Sequence, residues 1–72
     1  MKFDYGDVVK ITANAPSKFL KFGDSGSVCA IDENLRSERA MEFGVQQGMP
    51  VYLVEFATGQ SIEVPEIYLK PE

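Results

Sequence analysis

The side chains of this 72-residue chain that could do chemistry are mostly carboxylates, among them Asp4, Asp7, Asp24, Asp32, Glu33, Glu38, Glu42, Glu55, Glu63 and Glu66. Asp32-Glu33 and Glu63…Glu66 are the close pairs, and neither sets oxygen ligands at the offsets of a metal loop. Acid/base work by two carboxylates also needs a cleft, which a domain of this size hardly provides. Histidine is absent, which removes the commonest general base and metal ligand. The single cysteine, Cys29, excludes an internal disulfide and any multi-cysteine metal site. No lysine or histidine adjoins it to lower its pKa, so it reads as a buried small hydrophobe and not as a reactive thiol. The expectation is a protein that is not an enzyme and takes no cofactor or metal.

Two further stretches bear on function. Ser17-Lys-Phe-Leu-Lys-Phe22 is either an exposed aromatic-and-lysine loop or a plug, with Phe19 or Leu20 closing one mouth of a barrel. Lys18, Phe19, Lys21, Phe22 and Asp24 are the candidate partner-binding residues. Gly23-Asp24-Ser25-Gly26 matches the tetrapeptide around the nucleophile of trypsin-like serine proteases. Such a serine needs a histidine base, so turn chemistry is what remains for this match.

The elements that must position these residues are short and extended. In Pro50 to Pro65, Tyr52, Val54 and Phe56 alternate with Leu53 and Glu55, and Ile62 and Val64 resume the alternation after the link Ala57 to Gln60. Period-2 spacing on both sides of a Gly-bearing link is a strand-turn-strand signal, with Gly59 at the positive-φ position. This hairpin is the expected centre of a small β-barrel. Val8 to Thr12 reads as the first strand with Val9 and Ile11 inward, after a lead-in whose Phe3 and Tyr5 share one side. Thr12 to Pro16 is loop and Gly23 to Gly26 a turn. Ser27 to Asp32 is the second strand. Val28 and Ile31, three apart, share its core face only if a bulge intervenes near Cys29-Ala30. Ser37 to Phe43 has an N-cap residue type at Ser37 and a stop at Gly44, which predicts a two-turn helix; its rival is a strand carrying Met41, Phe43 and Val45. Val51 and Leu53 face away from the core, so either that helix covers them, through Met41 and Phe43, or they form a binding patch. Pro65 to Leu69 is a tight turn into a last strand near Tyr68 to Lys70, where Ile67 or Tyr68, with Leu69, closes the barrel bottom.

Size and charge narrow the class. A chain this short buries roughly 60% of its unfolded surface, so one core must absorb most large apolar residues. The apolar share of 44% is that of a folded domain. No run approaches the length of a membrane span or a leader, so the expected location is cytoplasmic and no membrane contact is expected. The net charge of −4 argues against nucleic acid and fits a soluble protein, or one whose partner is basic. An exposed edge strand leaves a homodimer open.

Gly6-Asp7-Val9-Ile11, Gly23-Gly26-Val28-Ile31, Tyr52-Val54-Phe56-Gly59, Val64-Pro65 and Leu69, in that order, resemble an SH3-like barrel. The resemblance covers most of the chain outside Asn14 to Lys21 and Asn34 to Gly48. It implies a mainly β fold: one domain over residues 1–72, a five-stranded SH3-like barrel with a short helix inserted before the third strand. Gly-x-x-Gly-x-Val is also similar to the KOW motif of ribosomal and transcription proteins, which would imply RNA or polymerase contact. The flanking basic residues are reduced here to Lys18 and Lys21. More loosely, the chain is similar to small bacterial immunity proteins of polymorphic toxin systems and to accessory proteins of nitrogen-fixation clusters. The functional expectation is therefore a non-catalytic protein-binding module, an immunity or inhibitor protein for a basic partner. The alternative is a nucleic-acid-binding KOW-like barrel that uses Lys18, Phe19, Lys21 and Phe22 as a basic-aromatic patch.

Overall fold

The alternation of Tyr52, Val54 and Phe56 becomes strand and core at once: all three are buried, at 0%, 0% and 3% exposure. The computed structural model describes residues 3–20 and 25–72. Its elements are β1 (Val8–Ile11), α1 (Ser17–Leu20), β2 (Ser25–Asp32), α2 (Ser37–Phe43), β3 (Val51–Phe56), β4 (Ser61–Pro65), a 3₁₀ turn (Glu66–Tyr68) and β5 (Leu69–Pro71). The strands form one antiparallel sheet in the order β4-β3-β2-β1-β5. No ladder joins β4 to β5, so the sheet is not closed. The mainly β reading, with five strands and a helix before the third, is borne out. No helix among the described residues is long and apolar enough to cross a membrane.

The hairpin forms where the alternation places it. Gly59 N–H donates to the Phe56 carbonyl at 2.9 Å, and Phe56 N–H donates to the Gln60 carbonyl at 2.9 Å. Gly59 has φ +87°, the left-handed position that such a three-residue link with a glycine bulge requires. Across the ladder, Tyr52 pairs with Val64 and Val54 with Ile62. Their side chains point into a core that also takes Phe3, Val9, Ile11, Ala15, Phe19, Val28 and Leu69. Each large apolar side chain removed from water there contributes about 1.5–3 kcal/mol, so this single layer carries most of the domain's stability.

The β2 register slips between Val28 and Ala30, so the expected bulge is present. Val28 is buried and Ile31 is half-buried against the core. Cys29 is the residue left over at the slip, and it is exposed, contrary to the buried reading. An unpaired bulge residue is turned out by the kink it makes. Gly26 belongs to β2 and not to a turn. A Cβ there would lie 2.6 Å from the Glu55 carbonyl oxygen, so glycine permits the close approach of β2 to β3.

Helix α2 spans the predicted residues and ends as predicted at Gly44. Val45 N–H donates to the Ala40 carbonyl (3.0 Å) and Gly44 N–H to that of Met41 (3.2 Å), the crossed pair of a Schellman stop. Its start differs: Arg36 holds the cap position and no side chain caps the helix. Leu35, Ala40 and Val51 are buried together, with Phe43, Val45 and Met49 packed against them, so α2 does cover Val51. Met41 was expected to help and instead stands 82% exposed. Phe43 and Ala40 occupy the inward stripe, and a residue one or two positions away points elsewhere on a 3.6-residue turn.

Candidate functional site

Two adjoining clefts are lined by Asp4, Asp32, Glu33 and Glu63. The first starts at a turn over Asp4 to Asp7. Asp7 N–H donates to the Asp4 carbonyl (3.1 Å). The Asp4 N–H donates to Asp7 Oδ2 (2.9 Å), and the Tyr5 N–H donates to Asp4 Oδ1 (2.8 Å). Gly6 N–H reaches the Val28 carbonyl, and Val28 N–H the Asp7 carbonyl, both at 2.9 Å; these bonds fasten the turn to β2. The turn interrupts the alternation, so Phe3 goes inside while Tyr5 is 66% exposed, and the two do not share a side as the spacing suggested. Asp4 and Tyr5 line a cleft of about 330 Å³ with Ile31, Asp32, Glu33 and Asn34.

The anchor beneath this turn is Tyr52. Its hydroxyl donates to Glu66 Oε2 at 2.6 Å and accepts from the Phe3 N–H at 3.3 Å. The Phe3 ring stands edge-on to it, 5.3 Å between centroids. A fully buried hydroxyl needs such partners, because leaving it unpaired costs more than the bond itself contributes.

The second cleft lies on the outer face of β2, β3 and β4, lined by Ala30, Ile31, Asp32, Val51, Leu53 and Glu63. It meets the first at Ile31 and Asp32. From α2, Arg39 reaches across with Nη1 3.0 Å from Asp32 Oδ2 and Nη2 2.5 Å from Glu63 Oε2. Its guanidinium carbon lies 5.6 Å from the centre of the Phe43 ring. The hydrogen bond to Glu63, and next the charge of that carboxylate, hold the Arg39 pKa above its already high value, against a smaller opposing effect of desolvation. Arg39 is therefore a permanent cation. Asp32 and Glu63 pair with it, and Asp4 and Glu33 line the first cleft with Asp32, so the two clefts carry four carboxylates of which Arg39 engages two. Exposed Tyr5 adds apolar surface to the first cleft and half-buried Leu53 to the second. This arrangement is fitted to hold a cation with an aliphatic stem, and among the described residues no group of His, Cys, Asp and Glu converges as a metal site.

Of the partner-binding residues singled out from the sequence, the structure describes Lys18 and Phe19. Lys18 is exposed, its Nζ 5.2 Å from the centre of the Phe19 ring. Phe19 is buried at 4% exposure, its ring 5.8 Å from that of Tyr68; it plugs the core and offers no face to a partner. Lys21, Phe22 and Asp24 lie outside the described residues. Of Ile67 and Tyr68, it is Tyr68 that packs on the core, with Leu69, while Ile67 is 46% exposed. Leu53 stood in the sequence as one alternative, a binding patch on the outer face, whereas the cleft at Tyr5 was not foreseen. The available signals were Asp-x-Gly-Asp around Gly6, which predicts a side-chain-braced turn, and an apolar Leu53 on the face that should be polar. No family model, curated protein or solved structure matches the chain.

Proposed function

We propose that this protein is a non-catalytic protein-binding module on an SH3-like barrel, an immunity or inhibitor protein whose partner is basic. Support for the barrel comes from the strand order β4-β3-β2-β1-β5, with a 3₁₀ turn carrying the chain from one edge strand to the other. The observation that carries the function is the pair of clefts meeting at Ile31 and Asp32, where Asp4, Asp32, Glu33 and Glu63 outnumber Arg39. Lysine or arginine side chains of the partner lay their stems on Tyr5 and Leu53 and their charged ends among the carboxylates. The overall charge of −4 adds a long-range pull on a basic body.

The test is affinity capture from the native host with the wild-type chain and with an Asp4→Lys/Glu33→Lys variant. The expected result is a basic protein retained by the wild type, released by ~0.5 M salt, where screening falls within a few ångströms, and lost by the variant. Capture of the same proteins by both chains defeats the reading.

A further inference from the structure

The two edges of the sheet differ in what their backbone leaves unspent. On β5, the Tyr68 carbonyl accepts from Thr12 N–H (2.9 Å) and Glu72 N–H donates to the Val8 carbonyl (3.3 Å). The alternation of an antiparallel ladder then turns the backbone groups of Leu69 and Pro71 away from β1. The Leu69 N–H is taken by the Glu66 carbonyl, and Pro71 has no N–H. The β5 edge therefore offers no donor to another strand.

The β4 edge is the opposite case. Its ladder with β3 is anchored at one end by Phe56 N–H to the Gln60 carbonyl and at the other by Glu66 N–H to the Pro50 carbonyl, both 2.9 Å. Counting inward from either end, Ile62 and Val64 exchange hydrogen bonds with β3. Ser61 and Glu63 therefore point their N–H and C=O groups away from the sheet, and Pro65 its carbonyl. Nothing among the described residues bonds to the outward groups of Ser61 and Glu63. The Glu63 side chain sits opposite Leu53 on the outer face and gives one oxygen, Oε2, to Arg39, so Oε1 is unspent.

We infer that β4 receives an extended basic segment of the partner, added to the sheet as a sixth strand with a lysine or arginine opposite Glu63. This rests on the reading of the partner as basic and names how it docks. Main-chain bonds to Ser61 and Glu63 supply affinity, and alternate side chains supply choice. The segment's outward residue beside Glu63 is basic, and its neighbours, which lie beside half-buried Ile62, are apolar. A second copy of this chain is the poorer occupant, since it brings another −4 and the same acidic outer face.

The test is an amide-resolved titration of the full chain with an acetylated, amidated heptapeptide that alternates valine with arginine and lysine. The same peptide N-methylated at alternate amides is the control. The Ser61 and Glu63 amides are expected to shift and to gain exchange protection with the first peptide only. Ser61→Pro removes one outward donor and leaves the bonds to β3 intact, which protection of Ile62 and Val64 verifies. It is expected to weaken binding about tenfold, and Glu63→Gln to flatten the salt dependence. Equal binding of the N-methylated peptide, or unchanged binding to Ser61→Pro, overturns strand addition while leaving the basic partner in place. Failure of the basic peptide to shift any amide overturns strand addition; indifference of capture to Asp4→Lys/Glu33→Lys is what removes the basic-partner reading itself. Concentration-dependent protection of Ser61 and Glu63 in the protein alone would assign the edge to a second copy and also overturn the proposal.

Discussion

Gly26 and Cys29 on β2 and Tyr52 on β3 each answer to a different constraint. The Cys29 thiol is exposed at the bulge and makes only a long contact, 3.6 Å, to the Ser27 carbonyl. It is expected to react with a disulfide reagent in the folded protein without denaturant; a thiol released only on unfolding would contradict the bulge geometry. Tyr52→Phe keeps the ring and removes the hydroxyl that joins Phe3 to Glu66. The expected cost is about 1–2 kcal/mol, read as a lower urea midpoint at unchanged slope. Gly26→Ala puts a Cβ against the backbone of β3, 2.6 Å from an oxygen that cannot swing aside. About 1–3 kcal/mol is the expected loss, and a neutral result would mean that β2 and β3 are farther apart than described.

Among the elements, α2 is the one whose attachment is thinnest. Seven residues are too few for a helix to persist by propensity, so its hold on the outer face depends on Leu35, Ala40 and Val51. Leu35→Ala should cost about 2–5 kcal/mol. Hydrogen exchange should then quicken along α2 before it quickens along β3. Uniform quickening would place Leu35 in the main core instead of the satellite cluster. The element boundaries were readable wherever the signal was local. Gly44 ends α2 and Gly59 turns the hairpin because each conformation involves only residues next in the chain. Met41 was misplaced because the direction of a helix face is set by the sheet it lies on.

At the scale of the molecule, charge is unevenly matched: the ion pairs found among the described residues are those of Arg39 with Asp32 and Glu63. Both partners are well exposed, so the pairs add little to stability, and Arg39→Met should leave the unfolding midpoint nearly unmoved. The same substitution takes the net charge from −4 to −5, since one cation is removed. Association with a basic partner should therefore become faster at low salt, and the gain should vanish as ionic strength rises. A slower association would show that Arg39 contacts the partner directly and does not merely offset the carboxylates.

Alternation of side chains at Tyr52, Val54, Phe56, Ile62 and Val64 is a property of the chain itself, because a strand presents every second residue to one side whatever it packs on. The hairpin, the inward face of β1 and the bulge implied by Val28 and Ile31 were legible for that reason. The exposure of Cys29, the burial of Phe19 and the meeting of Asp32, Glu63 and Arg39 were decided only when distant segments came together. Those placements depend on register and on which surface a neighbour has already filled, and the spacing of residues along one segment carries neither.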